Sequence, residues 1–67
     1  MDSNTIHDPL MTAGEAAEYL KLAEGTVRNM AQTGELPRVK IGRSVRFRRS
    51  DLNRWIALHV QTVEPAA

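Results

Sequence analysis

The 67-residue chain has no cysteine, few aromatic side chains and no long hydrophobic run. The lack of cysteine excludes a disulfide framework and a cysteine-ligated metal site. One tryptophan, one tyrosine and one phenylalanine are too few for a platform that stacks unpaired bases. No apolar stretch approaches the roughly 18 residues that span a bilayer, and the polar N-terminus lacks a signal-peptide pattern. We therefore expect one small cytoplasmic domain with a closely packed core.

Charge is distributed unevenly along the chain. Residues 38–54 contain seven basic side chains and one acidic side chain, whereas residues 1–37 contain two basic and six acidic ones. The formal net charge of +1 conceals this separation. A patch of a single sign on so small a domain indicates a polyanionic partner, and nucleic acid is the first candidate. A solvated charged face is the alternative.

The spacing of apolar residues predicts two short helices in the first half of the chain. The first covers residues 13–20 and begins at a capping box formed by Thr12 and Glu15. The second covers residues 24–33 and ends at Gly34, a residue suited to a left-handed cap. The positions expected to face the core are Ala13, Ala16, Ala17, Leu20, Val27, Met30 and Ala31. Two short helices with a brief connection form a helix-turn-helix arrangement.

Residues 38–48 alternate between basic and apolar side chains, which predicts a two-stranded hairpin with one face on the core. The apolar members are Val39, Ile41, Val45 and Phe47. A three-residue loop at residues 42–44 pairs Ile41 with Val45 and places all four on one face. A two-residue turn pairs Ile41 with Ser44 and breaks that match, so we expect the longer loop.

A third helix is predicted at about residues 51–60. Ser50 is a suitable N-cap, and Asp51 in the first turn complements the helix dipole. The residues on its apolar face are Leu52, Trp55, Ile56 and His59. Residues 1–9 and 61–67 lack periodicity, so we expect a flexible N-terminal arm and a flexible C-terminal tail around a folded domain at residues 10–60.

The sequence does not predict an enzyme, a metal site or a cofactor site. His7 and His59 lie in unrelated contexts, and neither Ser44 nor Ser50 has a nearby histidine and acid that would form a triad. The loop at residues 42–44 lacks the glycine spacing of a phosphate-binding loop.

Double-stranded DNA is the partner that these elements favour. In a helix-turn-helix the second helix enters the major groove and its N-terminal residues reach base edges. The candidates are Thr26, Arg28 and Asn29, with Glu24 and Gln32 at the margins. Arginine recognises guanine, asparagine recognises adenine, and the threonine methyl can touch thymine. In the hairpin we predict that Arg43 enters the minor groove and that Lys40, Arg46 and Arg48 contact phosphates. Arg49 and Arg54 are either phosphate contacts or surface charges of the third helix.

Motifs along residues 10–57 resemble the excisionase-type winged helix-turn-helix domain, which is related to the DNA-binding domain of MerR-type regulators. The matching segments are Leu10-Met11-Thr12, Ala16-Ala17-Glu18-Tyr19-Leu20, Thr26-Val27-Arg28, Gly34-Glu35-Leu36-Pro37, Val39-Lys40-Ile41-Gly42-Arg43 and Arg46 through Ile56. The resemblance implies a mostly α-helical fold of three helices with a two-stranded wing. It also implies that residues 42–46 form a DNA-contacting wing, which adds Ser44 to the predicted DNA-binding residues.

The resemblance implies two cellular roles in a bacterium, a phage or a mobile element. One is a recombination directionality factor with an integrase or recombinase as partner, and the other is a small transcriptional regulator. Further copies of the chain on adjacent DNA sites are additional candidate partners, and the expected location is the bacterial nucleoid. The chain departs from the family at Ala23-Glu24-Gly25, where a serine cap is common, and it has no long coiled coil after the third helix. A protein-interaction adaptor that uses the basic wing or the acidic N-terminal half is the alternative function.

Overall fold

The structure, a computed structural model, describes residues 9–61 and contains three helices and three short strands in that range. In chain order they are β1 (Leu10–Met11), α1 (Ala13–Leu20), α2 (Glu24–Thr33), β2 (Val39–Ile41), β3 (Ser44–Arg48) and α3 (Arg49–Leu58). This is the winged helix-turn-helix class that the sequence predicts. The predicted arm and tail lie almost wholly outside the described residues. Within residues 9–61, no helix is both long enough and apolar enough to cross a membrane.

Helix α1 has the predicted bounds and the predicted capping box. The Thr12 hydroxyl accepts from the Glu15 amide at 3.1 Å, and the Glu15 carboxylate accepts from the Thr12 amide at 2.9 Å. At the other end Lys21 adopts a left-handed conformation with φ 60°, and the Leu22 amide donates to the Ala17 carbonyl at 2.9 Å. These hydrogen bonds pair backbone N–H and C=O groups that have no partner within the helix, and they set the direction of the turn into α2.

Helix α2 also has the predicted bounds, although its first turn lacks a side-chain cap. Ala23 stands at the N-cap position and makes no capping hydrogen bond through its side chain. Gly34 ends the helix with φ 89°, a conformation that glycine adopts without a steric penalty. The chain then folds back so that the Leu36 amide donates to the Met30 carbonyl at 3.0 Å, and Leu36 is buried.

The core draws on all three helices, strand β3 and the segment after α2. Its four largest fully buried side chains are Val27, Leu36, Phe47 and Leu52. Its other members are Ala13, Ala16, Ala17 and Ala31. Because alanine side chains are small, α1 and α2 pack closely, and the few large side chains supply most of the apolar area.

The hairpin is the main correction to the sequence prediction. Ile41 pairs with Ser44 and Lys40 pairs with Val45, so the strands are joined by a two-residue turn at Gly42 and Arg43. The prediction of a three-residue loop was wrong. Gly42 has φ 60°, and a left-handed glycine at the first of two loop residues is the pattern of a type II′ hairpin turn.

In this register the apolar residues of β2 and those of β3 lie on opposite faces of the hairpin. Directly paired residues share a face of a sheet, so Lys40 lies on the face of Val45, whereas Ile41 lies on the outer face. Phe47 on the inner face is fully buried, and Ile41 is 55% exposed. Strand β2 therefore contributes no buried residue to the core.

A third strand, which the sequence analysis did not predict, completes the sheet. Strand β1 pairs antiparallel with β3, with Met11 opposite Phe47 and Leu10 opposite Arg48. The strand order is β1-β3-β2, so β3 is the central strand. Two residues are too short a segment to show the alternation by which a strand is recognised.

Helix α3 begins and ends earlier than predicted. It starts at Arg49 with Arg48 at the N-cap position, so the prediction of Ser50 as N-cap was wrong, and it ends at Leu58. Asp51 in the first turn is buried, and its two carboxylate oxygens accept from the Arg48 guanidinium at 2.8 and 3.0 Å. Of the predicted apolar face, Leu52 is buried and Trp55 half-buried, whereas Ile56 is exposed. The start of α3 is thus the part that packs on the sheet.

The hairpin register predicts contrasting effects for two alanine substitutions. Phe47→Ala removes a fully buried side chain and should lower the free energy of unfolding by about 3–5 kcal/mol. Ile41→Ala should change it by about 0.5 kcal/mol or less, because this side chain is more than half exposed. Urea denaturation followed by circular dichroism measures both. A loss of about 2 kcal/mol or more for Ile41→Ala would indicate the three-residue loop instead.

Lys21 is the one non-glycine residue of the described chain with positive φ, so glycine should be more stable at this position. We expect Lys21→Gly to raise the free energy of unfolding by about 0.5–1 kcal/mol, because relief of the left-handed strain exceeds the added entropy of the unfolded chain. Lys21→Ala keeps the strain and is the matched control. Equal stability of the two variants in thermal denaturation would show that the left-handed turn is not maintained in solution.

Candidate nucleic-acid interface

An open groove of about 710 Å³ lies between α2 and the hairpin. The first turn of α1 forms one end of its wall, and β3 forms the side opposite α2. The basic side chains that line it are Arg28, Arg38, Arg43 and Arg46. Glu24 is the single acidic residue among the lining residues. The groove is therefore a concave, positively charged surface, which suits the sugar-phosphate backbone of a nucleic acid.

Four of the eight predicted DNA-binding residues are brought together in this groove: Arg28, Arg43, Ser44 and Arg46. Thr26 and Asn29 are exposed on α2, and Lys40 is exposed on β2, outside the groove lining. The eighth, Arg48, binds Asp51 at the start of α3. The groove also contains Arg38, for which the sequence analysis gave no role although it belongs to the basic stretch.

On α2, the Arg28 guanidinium is held by Glu24 one turn earlier. Nε and Nη2 of Arg28 donate to the same carboxylate oxygen, Oε2, at 3.1 and 2.6 Å. The Arg28 and Glu24 side chains are 67% and 49% exposed, so in the free protein the pair contributes only about 0.2–0.5 kcal/mol to helix stability. The pair places the Arg28 guanidinium beside Glu24 in the first turn of α2.

On the hairpin, Arg43 and Arg46 differ in exposure and in their contacts. Arg43 is exposed and follows Gly42 in the turn, so it occupies the tip of the wing. Arg46 is half-buried, and its Nη1 donates to the Val45 carbonyl at 2.9 Å. The wing thus presents one exposed guanidinium and one anchored guanidinium to the groove.

The basic residues at the start of α3 take part in packing within the domain. The Asp51 side chain bound by Arg48 is only 10% exposed, and both guanidinium–carboxylate hydrogen bonds have good lengths. Arg49 lies over the Tyr19 ring at 5.9 Å, and the Tyr19 hydroxyl donates to Asn53 at 2.6 Å. These contacts connect α3 with β3 and α1.

Residues 10–57 match the helix-turn-helix domain family. The chain belongs to this family. Helix-turn-helix domains bind DNA, and the family is related to the excisionase-type domains that the sequence motifs resemble. The chain is also similar to the transcriptional repressor DcmR of Methylorubrum extorquens, with 33% identity over 61 residues that cover 88% of this chain and 23% of the relative. The chain therefore spans about a quarter of that relative. No solved structure is significantly similar to it.

The Arg48–Asp51 pair predicts a loss of stability when the carboxylate is removed. Asp51→Ala should lower the free energy of unfolding by about 1–2 kcal/mol, because two charge-assisted hydrogen bonds to a buried carboxylate and a helix-dipole contact are lost together. Chemical denaturation tests this, with Glu35→Ala as an exposed control. If the two variants are equally stable, the pair does not hold α3 to β3.

Proposed function

We propose that this helix-turn-helix protein binds specific sites in double-stranded DNA through α2 and the hairpin wing. The observation that carries the proposal is the groove in which Arg28 of α2 faces the arginines of the wing. A duplex whose major groove receives α2 brings a phosphate backbone against the wing, where positive charge is concentrated. No enzymatic step is part of this function.

The contacts divide into those that position the protein and those that read sequence. Arg46 and Lys40 neutralise phosphates, and Arg43 at the wing tip enters the minor groove with Ser44 beside it. Thr26, Arg28 and Asn29 on α2 contact base edges in the major groove. Arg48 also contacts a phosphate, but this contact is secondary because its guanidinium binds Asp51. The folded DNA-binding unit of this proposal is residues 10–60.

We propose transcription regulation as the cellular role, since the similar protein of Methylorubrum extorquens is a transcriptional repressor. The excisionase-like role is the second candidate, and the motif resemblance supports it. A single module of this size buries little DNA surface, so useful specificity requires further copies on adjacent sites or a protein partner, such as an integrase in the excisionase-like role.

A fluorescence-anisotropy titration tests the proposed function. The probes are a random 30-mer duplex and the DNA upstream of the protein's own gene, each at two salt concentrations. We expect tighter binding to the upstream DNA. The logarithm of the affinity should fall with the logarithm of the salt concentration, with a slope that corresponds to about four to seven phosphate contacts. Absence of binding to both duplexes at low salt would contradict the proposal and favour the protein-interaction adaptor.

The wing arginines predict a charge-specific loss of affinity. Arg43→Ala with Arg46→Ala should weaken binding to both duplexes and reduce the salt slope by about two, because two phosphate-region contacts are lost. Arg49→Ala with Arg54→Ala removes the same charge from α3 and should have a smaller effect. Equal losses in the two double variants would show that net charge, rather than the wing, determines the affinity.

A further inference from the structure

The Glu24 carboxylate is electrostatically unfavourable in the groove that we propose binds DNA. It is the single acid among the lining residues, and it would repel the phosphates that four arginines attract. Glutamate at this position also lies in the first turn of α2, where any acid would complement the helix dipole. That general effect does not explain why its carboxylate is bound to the predicted base-reading arginine.

The two oxygens of the Glu24 carboxylate have different neighbours. Oε2 accepts both hydrogen bonds from Arg28. Oε1 lies beside the first turn of α1, where a Cβ atom added to Gly14 would be 3.4 Å away. The carboxylate therefore stands between Arg28 and the N-terminal turn of α1, whose partial positive charge favours it there. Glu24 thus places the guanidinium of Arg28 relative to both helices of the motif.

The pairing also determines which donors of Arg28 remain available. A guanidinium has five N–H donors, and Glu24 occupies the one on Nε and one of the two on Nη2. Three donors remain, two on Nη1 and one on Nη2. Donors at this end of the guanidinium can bind guanine O6 and N7 with two parallel hydrogen bonds. An arginine whose other edge is occupied is less able to turn toward a phosphate.

We infer that Glu24 is a positioning residue that makes Arg28 a reader of guanine rather than a phosphate contact. The inference rests on the proposed function, since it assigns a role within the same interface. Water screens the pair in the free protein, but the pair strengthens when DNA excludes water from the groove. The Glu24 carboxylate repels phosphates and therefore weakens binding to all duplexes. Its hydrogen bonds to Arg28 favour duplexes that have guanine at one position.

The experiment begins with selection from a randomised duplex pool by the wild-type protein. Affinities are then measured by anisotropy on the selected duplex, on duplexes with each guanine replaced in turn, and on a random duplex. The variants are Glu24→Gln, which removes the charge, and Glu24→Asp, which keeps the charge but shortens the side chain. Arg28→Ala and the Glu24→Gln/Arg28→Ala double variant complete a double-mutant cycle. The charge-matched control is Glu18→Gln on the exposed face of α1.

We expect wild-type preference for one guanine of about tenfold or more, lost in Arg28→Ala. Glu24→Gln should reduce that preference about fivefold while binding random duplex more tightly than wild type does. Glu24→Asp should reduce the preference similarly without the gain on random duplex. In the Arg28→Ala background, Glu24→Gln should have no further effect on preference, and Glu18→Gln should leave preference unchanged.

Three outcomes would overturn the inference. One is a Glu24→Gln variant that binds all duplexes more tightly with preference intact, since Glu24 would then act only as a repulsive charge. Another is a change in preference that persists in the Arg28→Ala background, since Glu24 would then read a base itself. The third is a wild-type preference that does not depend on Arg28. A wild-type protein that selects no duplex overturns the proposed function as well, so the two failures are distinguishable.

Discussion

The burial of Phe47 on the central strand is the packing interaction on which the rest of the domain depends. Strand β3 pairs with β1 on one side and β2 on the other, and its inner face packs against α1 and α3. Four of the eight buried apolar residues are alanines, so the remaining large side chains must hold the helices to the sheet. Since Phe47 lies in the strand that continues into the wing, the same packing that stabilises the core also fixes the wing.

The groove follows from this arrangement. Val27 and Ala31 hold α2 against the core. Arg28 lies about a quarter turn around the helix from them, on the flank that lines the groove. Arg43 and Arg46 extend from the hairpin toward the same space. The distance between α2 and the wing is therefore set by buried contacts rather than by flexible connections. In the interface that we propose, neither element has to become ordered when DNA binds, and this lowers the cost of association.

The helices could be predicted from the sequence because their signals are local. The capping box of Thr12 and Glu15 and the glycine at position 34 gave the bounds of α1 and α2 within single turns of chain. The hairpin register is less readable, because two signals conflict. Apolar matching favours the three-residue loop, whereas Gly42 at the first loop position favours the two-residue type II′ turn that the structure has. For the candidate site, position on α2 predicts Arg28, and the i, i+4 spacing between Glu24 and Arg28 is a sequence signal for the pairing that the structure shows.

Nuclear magnetic resonance of the isotopically labelled chain tests most directly whether the groove between α2 and the wing is the DNA-binding surface. Backbone amide shifts are recorded while a selected duplex is added. We expect the largest changes on residues 24–33 and 42–46, with small changes along α3. Changes concentrated on α3, with residues 24–33 and 42–46 unaffected, would contradict this assignment of the surface.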